Sequence, residues 1–225
     1  IRRGVDMVYI VENNGVYGLT KGQFSATADQ GSMSKKGVAN TDSPLDMVAM
    51  ALQLGASYVA RGFSGDKAQL VPLIKGAIRH RGAAFLDVIS PCVAFNNHAG
   101  STRSYDYVRE HNEAVNRLDV ILPRARIEAD YAEGRMIEVE QHDGSVLRLR
   151  KLDAGYDPRD RLAAMNLIAQ RQAQGEIATG LLYVDPDAGD LHGHLNTVDA
   201  ALNKLGMAEL SPGAGVLAKI NAALR

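Results

Sequence analysis

The chain contains a single cysteine, Cys92, among its 225 residues. One cysteine cannot form an internal disulfide, and it cannot hold a structural metal without thiolates from elsewhere. The lack of an internal disulfide agrees with a reducing compartment, so we expect a cytoplasmic protein. Any metal chemistry at Cys92 therefore requires ligands from outside this chain.

An excess of one charge and a long apolar run are also missing. Lys and Arg total 25 against 26 Asp and Glu, so we expect no attraction of the whole chain to nucleic acid or to an anionic membrane. No apolar run reaches the length of a membrane span, and Asp6 interrupts any signal-peptide core near the N-terminus. The apolar fraction of 46% is ordinary for a globular protein with a buried core.

Strand and helix patterns alternate along much of the chain. Short apolar runs predict strands at 8–11, 57–61, 83–89 and 180–184. Capping residues followed by apolar residues at helical spacing predict helices at 44–54 (N-cap Ser43, stop at Gly55), after Asp66, after Asp157-Pro158 and across 196–225, with a break at Pro212. This alternation predicts an α/β fold in which a parallel sheet carries helices on both faces.

Several other segments complete the predicted organisation. Residues 20–42 and 92–106 have the composition of long loops, which in compact domains tend to be functional. Residues 136–149 alternate around an Asp-Gly turn and predict a hairpin, and residues 105–120 predict a short helix. We therefore divide the chain into a sheet domain, residues 1–120, and a C-terminal extension with hairpin and helices, residues 121–225.

The segment Glu12-Asn-Asn-Gly-Val-Tyr-Gly-Leu-Thr-Lys-Gly-Gln23 is the most informative in the sequence. It follows the first predicted strand, and open α/β sheets bind ligands at the carboxyl ends of their strands. An Asn side-chain oxygen and a nearby backbone carbonyl are ligands that suit magnesium, although the ion also needs anionic partners. The alternative is that Asn-Asn-Gly is merely a turn, because Asn-Gly is a common turn signal.

The pattern Asn-Asn-x-x-Tyr-Gly-x-Thr-x-Gly-Gln resembles the second half of the thiamin diphosphate motif in 2-oxoacid:ferredoxin oxidoreductases. The resemblance continues through residues 25–27, 35–37, Pro44 and 90–96, and it extends to about residue 120. It implies a partial thiamin diphosphate-binding fold. It further implies that Asn14 binds magnesium through its side chain and Val16 through its carbonyl, with Gly15, Tyr17 and Gly18 near the cofactor.

Leu19, Thr20 and Lys21 resemble the branch of this family that acts on 2-oxoglutarate. The resemblance places these three residues on the substrate side of the cofactor. The ammonium group of Lys21 could pair with the distal carboxylate of the substrate. Alternatively, Lys21 contacts the diphosphate or is a solvated loop charge, as loop lysines usually are.

The segment Ser90-Pro-Cys-Val-Ala-Phe-Asn96 resembles the part of this family that supplies the fourth thiolate of a 4Fe–4S cluster. The resemblance therefore implies that Cys92 binds this cluster, with the other three cysteines contributed by a segment absent from this chain. An isolated cysteine is otherwise often a small buried hydrophobic residue. The resemblance also implies an α subunit, coenzyme A and ferredoxin as partners, which together oxidatively decarboxylate the 2-oxoacid to an acyl-CoA.

The Gly-Asp-Gly start of the thiamin motif, whose Asp is the anionic magnesium ligand, has no counterpart before Asn14. We therefore expect an N-terminal β segment to be missing and to act as a partner of this chain. Two alternatives to the oxidoreductase remain open. One is a non-catalytic α/β subunit that only supports assembly, and the other is a different thiamin-dependent decarboxylase without a cluster.

Overall fold

The computed structural model describes residues 1–17, 23–32, 38–90, 127–140, 146–211 and 213–224. Within these ranges the strands are β1 (Met7–Asn13), β2 (Tyr58–Phe63), β3 (Ala83–Ile89), β4 (Met136–Glu140), β5 (Val146–Lys151) and β6 (Ile177–Val184). The α-helices are α1 (Met47–Gln53), α2 (Lys67–Arg79), α3 (Arg161–Ala173), α4 (Leu191–His194), α5 (Met207–Leu210) and α6 (Gly213–Ala223). A short 3-10 helix covers Leu202–Lys204.

The six strands form one sheet in the order β1-β3-β2-β6-β5-β4. The first three strands are parallel, as the alternating pattern predicts. The expectation of an all-parallel sheet is wrong for the second half, because β6 pairs antiparallel with β2 and β4 pairs antiparallel with β5. Strands β5 and β6 are parallel and are joined through α3, so β5, α3 and β6 form a crossover unit. This unit joins the first three strands through β6, which runs antiparallel to β2.

Helices cover both faces of the sheet, which confirms that part of the predicted fold. On one face, Leu52 of α1 and Ile168 of α3 pack against Val59 of β2. On the other face, Leu73 and Ala77 of α2 pack in a second cluster with the neighbouring strand residues Tyr58, Ala60 and Leu86. Successive strand residues point to opposite faces, so one short run of β2 contributes to both cores.

The starts of two helices differ from the prediction. Helix α1 begins at Met47, because the carboxylate of Asp46 accepts hydrogen bonds from the N–H groups of Val48 and Ala49 at 2.9 and 3.0 Å. Ser43 is therefore not the N-cap. Helix α3 likewise begins after Asp160, which caps it, rather than at Asp157-Pro158. An aspartate that reaches two free N–H groups of the first turn satisfies more of them than an earlier residue can.

Other predicted boundaries are confirmed. Asp66 caps α2 by accepting a hydrogen bond from the N–H of Gln69 at 3.1 Å. Gly55, with a φ of 82°, follows the end of α1 in the left-handed conformation that glycine adopts without strain. Residues 136–140 and 146–151 pair as the predicted hairpin, whose turn lies outside the described residues. The predicted helix at 105–120, the loop at 92–106 and the division at residue 120 also fall there.

The contacts divide the chain into two compact units, residues 1–190 and 191–225. The second unit contains the short helices α4, α5 and α6, and none of these helices has a buried residue. The prediction of helix across residues 196–225 is only partly right, because the described residues there form helices only at Leu202–Lys204, Met207–Leu210 and Gly213–Ala223. Among the helices of the described residues, none has the length and apolar character required to cross a bilayer.

Candidate cofactor-binding site

The turn that follows β1 forms at the carboxyl end of the parallel strands, where ligands of α/β sheets bind. The side-chain oxygen of Asn14 accepts a hydrogen bond from the N–H of Val16 at 3.1 Å. Gly15, between them, has a φ of 67°. This left-handed conformation is strained for a residue with a Cβ, so glycine at position 15 makes the tight turn possible.

Asn13, the last residue of β1, connects this turn to two other segments. Its side-chain oxygen accepts the hydroxyl of Thr27 at 2.8 Å and the N–H of Gly15 at 3.4 Å. Its backbone carbonyl accepts the N–H of Ser90, just after β3, at 2.9 Å. Asn13 thus joins the turn to the loop that contains Thr27 and to the segment that precedes Cys92.

Only some of the predicted site residues are described by the structure. Asn14, Gly15, Val16 and Tyr17 are, and the Tyr17 side chain is 49% exposed. Gly18, Leu19, Thr20, Lys21 and Cys92 lie outside the described residues. The roles predicted for these nine residues, in metal, cofactor or substrate binding, therefore stay predictions.

The donor set at the turn fits part of a magnesium site. The Asn14 amide oxygen and the Val16 carbonyl are neutral, hard oxygen ligands, and an amide oxygen keeps a second lone pair when it accepts one hydrogen bond. No cluster of three or more His, Cys, Asp or Glu side chains that could hold a metal occurs in the ranges that the structure covers. A complete magnesium site at this turn would also need anionic ligands, such as the oxygens of a diphosphate.

A buried charged cluster lies in the sheet beside this turn. The guanidinium of Arg61 in β2 donates to Asp87 of β3 at 2.8 Å and to Asp46 at 2.7 Å. Burial lowers the pKa of Arg61, while the carboxylates of Asp46 and Asp87 raise it, and the net direction is upward. Arg61 therefore remains charged, and Asp46 serves two partners at once, the N-terminus of α1 and Arg61.

The sequence analysis missed this cluster, although a signal was present. Arg61 and Asp87 each interrupt an otherwise apolar strand, in Tyr-Val-Ala-Arg and Phe-Leu-Asp-Val. A charged residue inside a buried strand is almost always paired, so two such strands in succession indicate an ion pair.

A cavity of about 310 Å³ extends from the turn to the charged cluster, and its lining includes Asn13, Thr27, Asp46, Arg61 and Asp87. The Oδ1 atom of Asp87 is buried and has no hydrogen-bond partner among the described residues. The Asn13–Thr27 bond and the Arg61 cluster therefore line the same cavity, together with apolar residues such as Ile168 and Ala178.

The first part of the chain matches a known protein family. Residues 1–88 match the family described as the C-terminal thiamine pyrophosphate-binding domain of thiamine pyrophosphate enzymes. The matched region includes β1, α1, β2, α2 and most of β3. The turn after β1 and the buried charged cluster both lie within it.

Individual relatives of this chain are subunits of 2-oxoacid and 2-oxoglutarate oxidoreductases. The chain is 45% identical over 97 residues to the 2-oxoacid:ferredoxin oxidoreductase subunit beta of Saccharolobus solfataricus, covering 43% of this chain and 32% of that protein. It is 34% identical over 139 residues to the 2-oxoglutarate synthase subunit KorB of Methanothermobacter thermautotrophicus, covering 60% and 47%. The resemblance to oxidoreductase β subunits is thus confirmed, and the chain spans less than half the length of these relatives.

A solved structure extends the similarity over most of the fold. It is the 2-oxoglutarate:ferredoxin oxidoreductase of Magnetococcus marinus with 2-oxoglutarate, coenzyme A and succinyl-CoA bound. The similarity has a TM-score of 0.58 at 26% identity and covers 93% of this chain and 60% of that one. The region beyond residue 120, where sequence motifs are weak, therefore also has a counterpart in an enzyme of this kind.

Proposed function

We propose that this chain is part of the β subunit of a thiamin diphosphate-dependent 2-oxoacid:ferredoxin oxidoreductase that acts on 2-oxoglutarate. The observation that carries the proposal is the turn Asn13-Asn14-Gly15-Val16 at the carboxyl end of β1, with its two oxygen donors. The relatives named as 2-oxoacid and 2-oxoglutarate oxidoreductase subunits support the reaction class.

In this proposal the oxygens of Asn14 and Val16 hold a magnesium ion that binds the diphosphate of the cofactor. Gly15, Tyr17 and Gly18 lie along the cofactor. When bound, thiamin diphosphate supplies the carbanion that attacks the 2-oxo carbon and allows carbon dioxide to leave. The protein contributes position and electrostatics, and the short turn holds its two oxygens in one fixed arrangement.

The substrate side is formed by Leu19, Thr20 and Lys21. A lysine ammonium close to the distal carboxylate would favour a dicarboxylic 2-oxoacid over pyruvate, because pyruvate has no second charge to pair. The Magnetococcus marinus enzyme, with 2-oxoglutarate and succinyl-CoA bound, supports a substrate of this class.

The remaining parts of the reaction involve groups outside this chain. Cys92 supplies one thiolate to a 4Fe–4S cluster, which takes four. An α subunit completes the active site, coenzyme A accepts the acyl group, and ferredoxin accepts the electrons in the cytoplasm. Met7 and Tyr9 on one face of the edge strand β1, and Ile10 on the other face, are exposed apolar residues, which further residues of a complete β subunit would cover.

The test is a dye-reduction assay on the assembled complex that contains this chain, together with direct measurement of cofactor binding. The complex should reduce a viologen dye only when 2-oxoglutarate and coenzyme A are both present. Asn14→Ala should weaken binding of thiamin diphosphate with magnesium by at least about tenfold, because even outer-shell partners of a metal contribute that much. Asn203→Ala, at an exposed asparagine of the 3-10 helix, is the matched control and should leave binding unchanged.

Each alternative has its own signature in this assay. A complex that binds no thiamin diphosphate and reduces no dye with any 2-oxoacid would be the non-catalytic assembly subunit. Release of carbon dioxide without dye reduction would instead identify a thiamin-dependent decarboxylase that lacks a cluster.

A further inference from the structure

The bond between Asn13 and Thr27 connects two parts of the site that are 14 residues apart in sequence. The Asn13 side-chain oxygen accepts the Thr27 hydroxyl at 2.8 Å, the shortest of the side-chain contacts that hold this turn. The same oxygen also accepts the N–H of Gly15. Because two groups donate to this one oxygen, the orientation of the Asn13 amide is fixed. The bond to Gly15 also fixes the backbone at the start of the turn.

The segment around Thr27 is itself firmly held. The N–H of Leu45 donates to the carbonyl of Ala26 at 2.8 Å. The buried side chain of Asn40 donates to the carbonyls of Ala28 and Asp29, each at 3.1 Å. Thr27 therefore sits on a loop that is anchored immediately before α1.

That anchor continues into the core of the sheet. Asp46, next to Leu45, is bound to the buried Arg61, which is also bound to Asp87. The described residues give the turn fewer long-range contacts than they give the loop around Thr27. The Asn14 side chain is exposed, and beyond the short-range bonds the described residues add one isolated bridge, between Val16 and Phe24. The Asn13–Thr27 bond is thus a contact through which the anchored loop can hold the turn.

We propose that Asn13 and Thr27 are positioning residues, whose mutual hydrogen bond holds the turn Asn14–Val16 in the geometry that binds the magnesium–diphosphate group. This inference rests on the proposed function. Neither residue contacts the metal in this scheme. Their effect comes from keeping two oxygen donors in place before the ligand arrives, which removes an ordering cost from binding.

The test compares Thr27→Val, which keeps the shape but loses the hydroxyl, with Thr27→Ser, which keeps the hydroxyl. Calorimetric titration of the assembled complex with thiamin diphosphate in excess magnesium measures the dissociation constant. We expect Thr27→Val to raise it about fivefold or more, as expected for one lost neutral hydrogen bond. Thr27→Ser should remain within about twofold of the unmodified complex.

A control variant separates positioning from general loss of stability. Thr179 also makes a buried hydroxyl contact, with Tyr131 at 3.2 Å, on the other part of the sheet. Thr179→Val should lower the melting temperature of the cofactor-free complex without changing the dissociation constant. If Thr27→Val does not assemble, Thr27→Ala replaces it in every comparison, since it only removes atoms.

A double-mutant cycle tests whether the two residues act as a pair. If they do, Asn13→Ala combined with Thr27→Val should bind the cofactor no more weakly than the weaker of the two single variants. Equal binding by Thr27→Val and Thr27→Ser, or effects that multiply in the double variant, would overturn the inference while leaving the proposed function intact. Failure of the unmodified complex to bind thiamin diphosphate would overturn the proposed function as well.

Discussion

Replacing Arg61 with methionine tests how much the buried charged cluster contributes to the fold. Arg61 has only 6% of its side chain exposed, and its partners Asp87 and Asp46 have 1% and 16%. Methionine has a similar length and fills irregular space well, so the loss of packing is small. The main consequence is that the buried carboxylate of Asp87 loses Arg61, its charged partner among the described residues.

The magnitude follows from that uncompensated charge. Removing one partner of a buried ion pair typically destabilises a protein by about 3–5 kcal/mol. Asp46 also loses one of its partners, although it still caps α1. Since domains are stable by only about 5–15 kcal/mol in total, we expect a large loss of stability and partial unfolding at moderate temperature.

Urea unfolding followed by circular dichroism measures the change in the free energy of unfolding. Arg159→Met is the matched control, because Arg159 pairs with Asp157 on the surface, where 71% and 57% of the two side chains are exposed. That variant should unfold at the same urea concentration as the unmodified protein. A loss below about 1 kcal/mol for Arg61→Met would refute the reasoning, because it is the value expected for a solvent-screened pair.

Two further predictions concern pH and substrate choice. Burial lowers the pKa of His80 from 6.5, against the opposing effect of the carboxylates of Asp6 and Asp185. The stability contributed by neutral His80 is therefore fully present above that value and is lost as the pH falls through the lower folded pKa. His80→Gln should flatten the fall in unfolding free energy between about pH 7.5 and pH 5, and an unchanged slope would exclude His80 as its source. Lys21→Ala in the assembled complex should lower the ratio of 2-oxoglutarate turnover to pyruvate turnover about tenfold or more. The control Lys75→Ala, on the exposed side of α2, should leave this ratio unchanged. If Lys21→Ala has the same ratio as the unmodified complex, Lys21 does not recognise the substrate.

Local sequence determined the individual elements well. Strand β3 coincides with the predicted residues 83–89, because six apolar residues around Asp87 follow Gly82 and stop before Ser90-Pro91. Asp66 and Gly55 act at the helix ends as expected, since capping and left-handed turns depend on residues only a few positions away. The motif around Asn14 likewise predicted the turn at the end of a strand, while its role in ligand binding stays a prediction.

Only the tertiary structure decided how distant residues meet. The N-cap of α1 is Asp46 and not the predicted Ser43. Asp46 also accepts a hydrogen bond from Arg61, which lies 15 residues further along the chain. The bond from Thr27 to Asn13 and the antiparallel pairing of β6 with β2 also join residues that no local period relates. Sequence periodicity reports which face of an element is buried. It carries no information on which element covers that face or on whether neighbouring strands run parallel or antiparallel, because the packing of the whole sheet sets both.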